Sequence, residues 1–391
     1  MRILVVNYEF PPVGGGGGVA SFQLARQWAR DHHVECLTSH VRGLPREEVM
    51  DGVRVRRVNV LWRTDRDVAP LRSLLAYPLS GVLAGGGRWD VVNTHFAVPS
   101  GPLGAALAAR ARAPHVVSIH GADIYDPTRR LSPHRHAALR AAVRWVLRSA
   151  HLVVAQSRDT AANALRHYGA DLRPKLRTVP LPFDLDGARP LLEGAGSHER
   201  GALGMDPNAR HLIAVGRLVE RKGYNRLILA LEHLPGDVRL TIIGEGPLRG
   251  ELDELARARG LSDRVELLGH VDEREKYRRL AACDLYVLSS HHEGFGICLQ
   301  EAMAAGLPIV STSRGGQTDL LTDGVNAALV ESNEPEVLAG AIAGLLADEA
   351  LRGRMAEANR RAVTRYDAPQ IARCYLELFR EAAGEAGCQS S

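Results

Sequence analysis

The chain has 391 residues, about twice a typical domain, and its 45% hydrophobic and 24% charged residues are those of an ordinary globular protein. The five cysteines, Cys36, Cys283, Cys298, Cys374 and Cys388, are odd in number and share no CxxC spacing, which argues against a disulfide framework and a zinc site. The formal charge of +4 hides an asymmetry: Met1–Leu185 carries 25 Arg plus Lys against 14 Asp plus Glu, and the remainder carries 24 against 31.

From the N-terminus, strands are expected near Ile3–Asn7, His33–Leu37, Val53–Val58, Trp89–Thr94, His115–Ile119 and His151–Ala155, alternating with helical stretches. Such alternation predicts parallel sheets flanked by helices, with ligands gathering at the strands' C-terminal ends. Met1–Asn7 is too short for a signal peptide, and no apolar run approaches the roughly 20 residues of a membrane span, so a cytoplasmic protein is expected.

Three motifs lie at strand ends in this half: the run Gly14–Gly18, Asn93-Thr94-His95, and His120-Gly121-Ala122-Asp123. The glycines precede a helical pattern from Ser21 to Arg30, and their backbone amides can approach a phosphate with no Cβ in the way. A dinucleotide fingerprint is disfavoured, because Tyr8–Val13 separate strand and glycines and the next strand ends in Leu37-Thr38-Ser39 with no acidic residue. His120 ends an apolar strand and is a candidate ligand-binding residue; His95 and Asp123 are weaker candidates on the acceptor side, and Asp123 could equally cap a turn. Asp65-Arg66-Asp67 reads as solvated surface. Leu71–Leu83 is too short and broken to span a membrane and suits an acceptor-pocket helix.

Between Thr128 and Ala150 the chain carries Arg129, Arg130, Arg135, Arg140, Arg144 and Arg148 with no acidic residue. That face could meet anionic lipid headgroups or an acidic acceptor, or be an ordinary solvated face of an Arg-rich protein. A Pro- and Gly-rich stretch then suggests a linker at residues 186–209. A second alternation follows, with strands near His211–Gly216, Val238–Ile243, Val265–Leu267 and Leu285–Leu288.

Here Gly216-Arg217 and Lys222-Gly223 follow a strand end, and Lys222 is one of only three lysines, with Lys175 and Lys276. Further on, His292-Glu293-Gly294-Phe295-Gly296-Ile297 leads into a helix ending at Gly306, with Glu301 one turn inside it. A helix N-terminus favours an anionic or oxygen-rich ligand, and carboxylates eight positions apart can each accept hydrogen bonds from sugar hydroxyls.

The segment from Glu293 to Glu301 resembles the signature of the family 4 retaining glycosyltransferases, and Gly216–Tyr224, Gly306–Thr312 and Gly315–Gly324 are also similar to that family's donor domain; together these cover roughly residues 210–330. The resemblance implies an α/β protein of the GT-B fold, with two Rossmann-like doubly wound domains facing across a cleft. Residues 1–185 would bind the acceptor and 210–366 the nucleotide sugar, with a final helix near 367–383 packing back on the first domain. It further implies that Arg217 and Lys222 contact the donor diphosphate, that Gly15, Gly16 and Gly17 face it, and that Glu293, Gly294, Phe295, Gly296, Ile297 and Glu301 hold the sugar and ribose. His120 would orient the transferred sugar, while Gly269-His270-Val271, at another strand end, reads either as an edge that binds the base or as a plain turn. His120, Glu293, Arg217 and Lys222 are thus the catalytic candidates.

The activity implied is retaining, metal-independent transfer of a hexosyl group from a UDP- or GDP-sugar to a hydroxyl of a small-molecule, glycan or lipid-linked acceptor, in glycoconjugate, polysaccharide or secondary-metabolite biosynthesis. Neither a cofactor nor a nucleic acid is called for, and Arg129–Arg148 could touch an anionic membrane. A nucleotide-sugar hydrolase or epimerase of the same architecture, or a non-catalytic nucleotide-sugar-binding protein, are the alternatives. Where many members carry Asn-Gly before the linker, this chain has Pro180-Leu181-Pro182-Phe183-Asp184.

Overall fold

The computed structural model describes residues 1–60, 71–84 and 86–384, and of residues 71–75 the backbone alone. Asp65-Arg66-Asp67 and Cys388 lie outside the described residues. The chain forms two compact units, Met1–Phe183 with Tyr366 onward, and Asp184–Arg365.

The first unit holds strands β1 (Arg2–Asn7), β2 (His33–Ser39), β3 (Glu47–Met50), β4 (Val53–Val58), β5 (Val91–His95), β6 (His115–Ile119), β7 (Leu152–Ala155) and β8 (Leu176–Thr178). Their order is β3-β4-β2-β1-β5-β6-β7-β8, parallel except for the β3–β4 edge. The central strands β1, β5, β6 and β7 are almost wholly buried and carry apolar runs such as Ile3–Val6 and Leu152–Ala155, because helices cover both faces. The order reverses at β1, between β2 and β5, and both the glycine run and His95 leave the sheet there, at the switch point where doubly wound sheets bind ligands.

The final helix, Ala368–Ala382, buries Ile371, Ala372, Tyr375 and Phe379 on one face. It packs on the helix Gly16–Trp28, whose Trp28 donates its indole N–H to the Ala372 carbonyl at 3.0 Å. The helix Leu71–Ala84 is anchored by Tyr77, whose hydroxyl donates to Leu37 O, and it leaves Leu79 and Leu83 exposed.

The second unit holds β9 (Arg210–Val215), β10 (Val238–Ile243), β11 (Val265–Gly269), β12 (Leu285–Leu288), β13 (Ile309–Thr312) and β14 (Ala327–Val330), all parallel, in the order β11-β10-β9-β12-β13-β14. Its reversal falls between β9 and β12, the strands that lead into Arg217–Lys222 and into Glu293.

Residues 186–209, expected as a linker, are instead folded into this unit. They begin in the helix Leu185–Leu192 and are fastened by Arg200, which donates to Ala282 O at 2.8 Å and pairs with Asp284 at 2.9 Å. Proline and glycine mark short turns there, and one buried guanidinium holds them in place.

Candidate functional site

The loops after β9 and β12 are stitched together through their backbone carbonyls. His291 N–H donates to Arg221 O (2.8 Å), Arg221 Nη1 to His292 O (2.9 Å) and Ser289 Oγ to Lys222 O (2.9 Å). Gly223 makes this approach possible: its φ is +63°, and a Cβ there would stand 2.3 Å from Ser289 O. As a result Lys222 Nζ meets Glu293 Oε2 at 2.6 Å and Arg221 Nη1 meets Oε1 at 3.1 Å.

The loop after β13 completes the hold on Glu293, whose carbonyl accepts the Gly316 N–H at 2.7 Å. Burial alone would raise the Glu293 carboxyl pKa, but Arg221 and Lys222 outweigh it and hold the group well below the usual carboxylate range. The side chain is therefore a fixed anion that orients two cations. Arg217 stands half-buried in the same β9 loop.

Gly294, Phe295 and Gly296 turn the chain into the helix Ile297–Ala304, with Phe295 buried as the anchor of the turn. Glu301, inside that helix, receives a hydrogen bond from Lys276 Nζ at 2.7 Å, and Lys276 also bonds Glu273 at 2.7 Å. Burial raises the Glu301 pKa against the pull of Lys276; burial would lower the Lys276 pKa, and the two carboxylates outweigh it and raise it. Val271 lies in the turn between β11 and the helix Glu273–Ala282 that carries Lys276.

Arg221 and Lys276 were both missed in the sequence. For Lys276 the signal was present, since the scarcity of lysine that singled out Lys222 applies equally to it.

In the first unit the helix begins at Gly16 rather than Ser21, so Gly16 and Gly17 sit in its first turn and Gly15 is the N-cap. Gly17 serves packing: a Cβ there would lie 2.3 Å from Phe96 Cζ. The Gly15 amide already donates to Glu9 Oε2 at 3.0 Å, a carboxylate at the positive end of the helix.

Phe96, at φ +72°, lays its ring against His120 with centroids 4.5 Å apart. His120 Nε2 lies 3.0 Å from His95 Nδ1, and the His120 carbonyl accepts a hydrogen bond from Gln156 Nε2. Burial lowers the His120 pKa to about 4, with an interaction between the Gln156 side chain and the ring opposing, and burial together with His120 lowers that of His95 well below its ordinary value.

His95, expected on the acceptor side, is 1% exposed, and both its ring nitrogens are engaged inside the unit. Asp123 likewise turns inward, accepting the amides of Ala97 (2.7 Å) and His120 (2.9 Å) and so tying the β5 loop to the β6 loop. Burial raises its pKa to about 6 against the lowering effect of these amides.

The basic stretch ends in the helix Ala137–Ser149, on which Arg144 donates to Tyr168 O and Arg148 pairs with Asp171, while Trp145 is exposed. Among the described residues no group of three His, Cys, Asp or Glu could hold a metal ion, and no helix is long and apolar enough to cross a membrane. Cys36, Cys283, Cys298 and Cys374 are free thiols.

Comparison with known proteins agrees with this architecture. The family described as Glycosyltransferase Family 4 matches residues 14–186, and Glycosyl transferases group 1 matches residues 197–362. A D-inositol 3-phosphate glycosyltransferase of Xylanimonas cellulosilytica is 30% identical over 95% of this chain and 93% of its own length. A 2-deoxystreptamine N-acetyl-D-glucosaminyltransferase of Streptomyces fradiae is 30% identical over 97% and 93%.

Among solved structures, sucrose-phosphate synthase of Thermosynechococcus elongatus superposes with a TM-score of 0.84 at 21% identity, covering 99% of this chain and 100% of that one. Anabaena HepE in complex with UDP-glucose gives 0.76 at 22%, covering 97% and 100%. The chain therefore belongs to the family 4, group 1 glycosyltransferases and has their GT-B fold.

Proposed function

We propose that this glycosyltransferase takes a hexosyl group from a nucleotide-diphosphate sugar and passes it, with retention of anomeric configuration, to a hydroxyl of its acceptor. The observation that carries this reading is the cluster of Lys222, Arg221 and Glu293 at the switch point of the second sheet: two cations held around one carboxylate. A diphosphate leaving group gains negative charge as the glycosidic bond breaks. Fixed cations in a buried setting favour that state with little reorganisation, and the reading gives this task to Lys222, Arg221 and Arg217 without a metal.

Glu301 suits a ribose diol, since a carboxylate accepts from two neighbouring hydroxyls, and Lys276 orients it from behind. In this reading Val271 lies beside the base, the turn Gly294–Ile297 lines the sugar, and His120 meets one of its hydroxyls. Glu293 is spoken for by Lys222 and Arg221 and is given no role as a nucleophile. Attack of the acceptor from the face that the leaving group vacates then accounts for retention. The UDP-glucose complex of HepE, a protein of the same fold, supports a sugar nucleotide as donor.

The test is to supply UDP- and GDP-sugars with candidate acceptors and follow the anomeric proton of the product by NMR. A glycoside with the donor's configuration supports the reading, and the opposite configuration contradicts retention. Free sugar released without acceptor would favour a hydrolase.

A further inference from the structure

Asn93, His95 and His120 form a buried hydrogen-bonded row whose direction is fixed at one end. The Asn93 side-chain amide reaches the Val116 carbonyl and Ser118 Oγ, each at 3.3 Å. A backbone carbonyl has no proton to give, so the atom facing it is the amide nitrogen, and the amide oxygen is turned toward His95 Nε2, 2.9 Å away. That oxygen only accepts, so His95 carries its proton on Nε2.

The ring is buried, which disfavours a second proton, and His95 Nδ1 therefore presents a lone pair to His120 Nε2 at 3.0 Å. It follows that His120 is protonated on Nε2. Its Nδ1 is buried and, apart from the Gln156 side chain that interacts with the ring, has no hydrogen-bond partner among the described residues. Phe96 packs against the same ring and helps keep water from it.

We propose that Asn93 and His95 are positioning residues that lock neutral His120 in its Nε2–H tautomer, so that a substrate hydroxyl whose binding uncovers the buried Nδ1 donates to it and receives no hydrogen bond from it. The contact with substrate rests on the reading above that His120 meets the transferred sugar; the tautomer rests on the geometry alone. A ring held in one tautomer presents a fixed acceptor and has no tautomer change to make on binding.

The test is long-range 1H–15N NMR of the full chain labelled with 15N-histidine at pH 7.5, the two rings being identified by the signals lost in His95→Gln and His120→Gln. Both rings should be neutral and protonated on Nε2. A His120 ring protonated on Nδ1, or on both nitrogens, would overturn the proposal.

In Asn93→Ala the bias is removed, so His120 should become a mixture of tautomers and kcat should fall about ten- to a hundredfold with the donor KM within about twofold. A folded Asn93→Ala protein with the His120 tautomer unchanged would also overturn it. If the tautomers are as stated and His120→Gln keeps full kcat, the contact with substrate fails, and with it the role given to His120 above.

Discussion

Lys222 and Glu293 lie 71 positions apart in sequence and 2.6 Å apart in space, each less than a tenth exposed. Glu293 also takes Arg221, so a single carboxylate compensates two cations drawn from the neighbouring loop.

Removing that carboxylate leaves both cations partly or wholly buried without it. Glu293→Ala should therefore destabilise the second unit by about 3–5 kcal/mol, the range for breaking a buried ion pair from one side. Urea unfolding followed by the fluorescence of the full chain checks this. A loss below about 1 kcal/mol, the worth of an exposed pair, would show the cluster to be solvated.

Gly17 tests the packing at the start of the first helix. Gly17→Ala places a methyl where Phe96 Cζ now stands, and Phe96 must leave the His120 ring. Transfer activity should drop at least about tenfold while the far-UV spectrum and nucleotide binding persist, because a displacement near 1 Å at a positioned group can cost as much as 10²-fold. Unchanged activity would mean that the Phe96–His120 ring contact has no part in the reaction.

Acid should weaken the first unit through its histidines. Burial lowers His115 to about 3, with His151 adding to it, and lowers His120 to about 4; His95 also lies well below its ordinary value. The unfolded chain then takes up these protons near pH 6.5 while the folded chain does not, and stability falls as pH drops from about 6.5 toward 4. Asp123 acts oppositely: with its pKa raised to about 6, it gains a proton in the folded state first and offsets part of the loss. Calorimetry between pH 7.5 and 5 should show a falling midpoint, and a shallower fall in His120→Gln. Equal slopes for the two proteins would mean that His120 is not held neutral.

The central strands of the two sheets were legible because they carry apolar runs separated by helical spacing, whereas Ile309–Thr312 and Ala327–Val330, only four residues each, were not expected as strands. Each candidate loop was legible as the punctuation at a strand's end. The edge strands Glu47–Met50 and Leu176–Thr178 were not seen, since β3 is half-exposed and charged and β8 has only three residues.

Side-chain direction was the harder part. His95 and Asp123 were placed by their neighbourhood in sequence, but only the packing reveals that both turn inward, and nothing local distinguishes a buried His95 from an exposed one. Gly16 and Gly17 were read as loop because glycine disfavours helix; that Gly17 is there to admit Phe96, distant in sequence, is visible only in the packing. Residues 186–209 were misread for the same reason, since the partner of Arg200 is Asp284.

The central claim is that the second unit binds a nucleotide-diphosphate sugar through Glu301 and the Lys222–Glu293 cluster. Isothermal titration of a panel of UDP- and GDP-sugars into the wild-type chain and into Glu301→Ala tests it most directly. Saturable binding of at least one sugar nucleotide to wild type is predicted, weakened about ten- to a hundredfold in the variant, as expected for lost hydrogen bonds to a charged group. Equal affinity in the two proteins, or no binding of any member to wild type, would contradict the account.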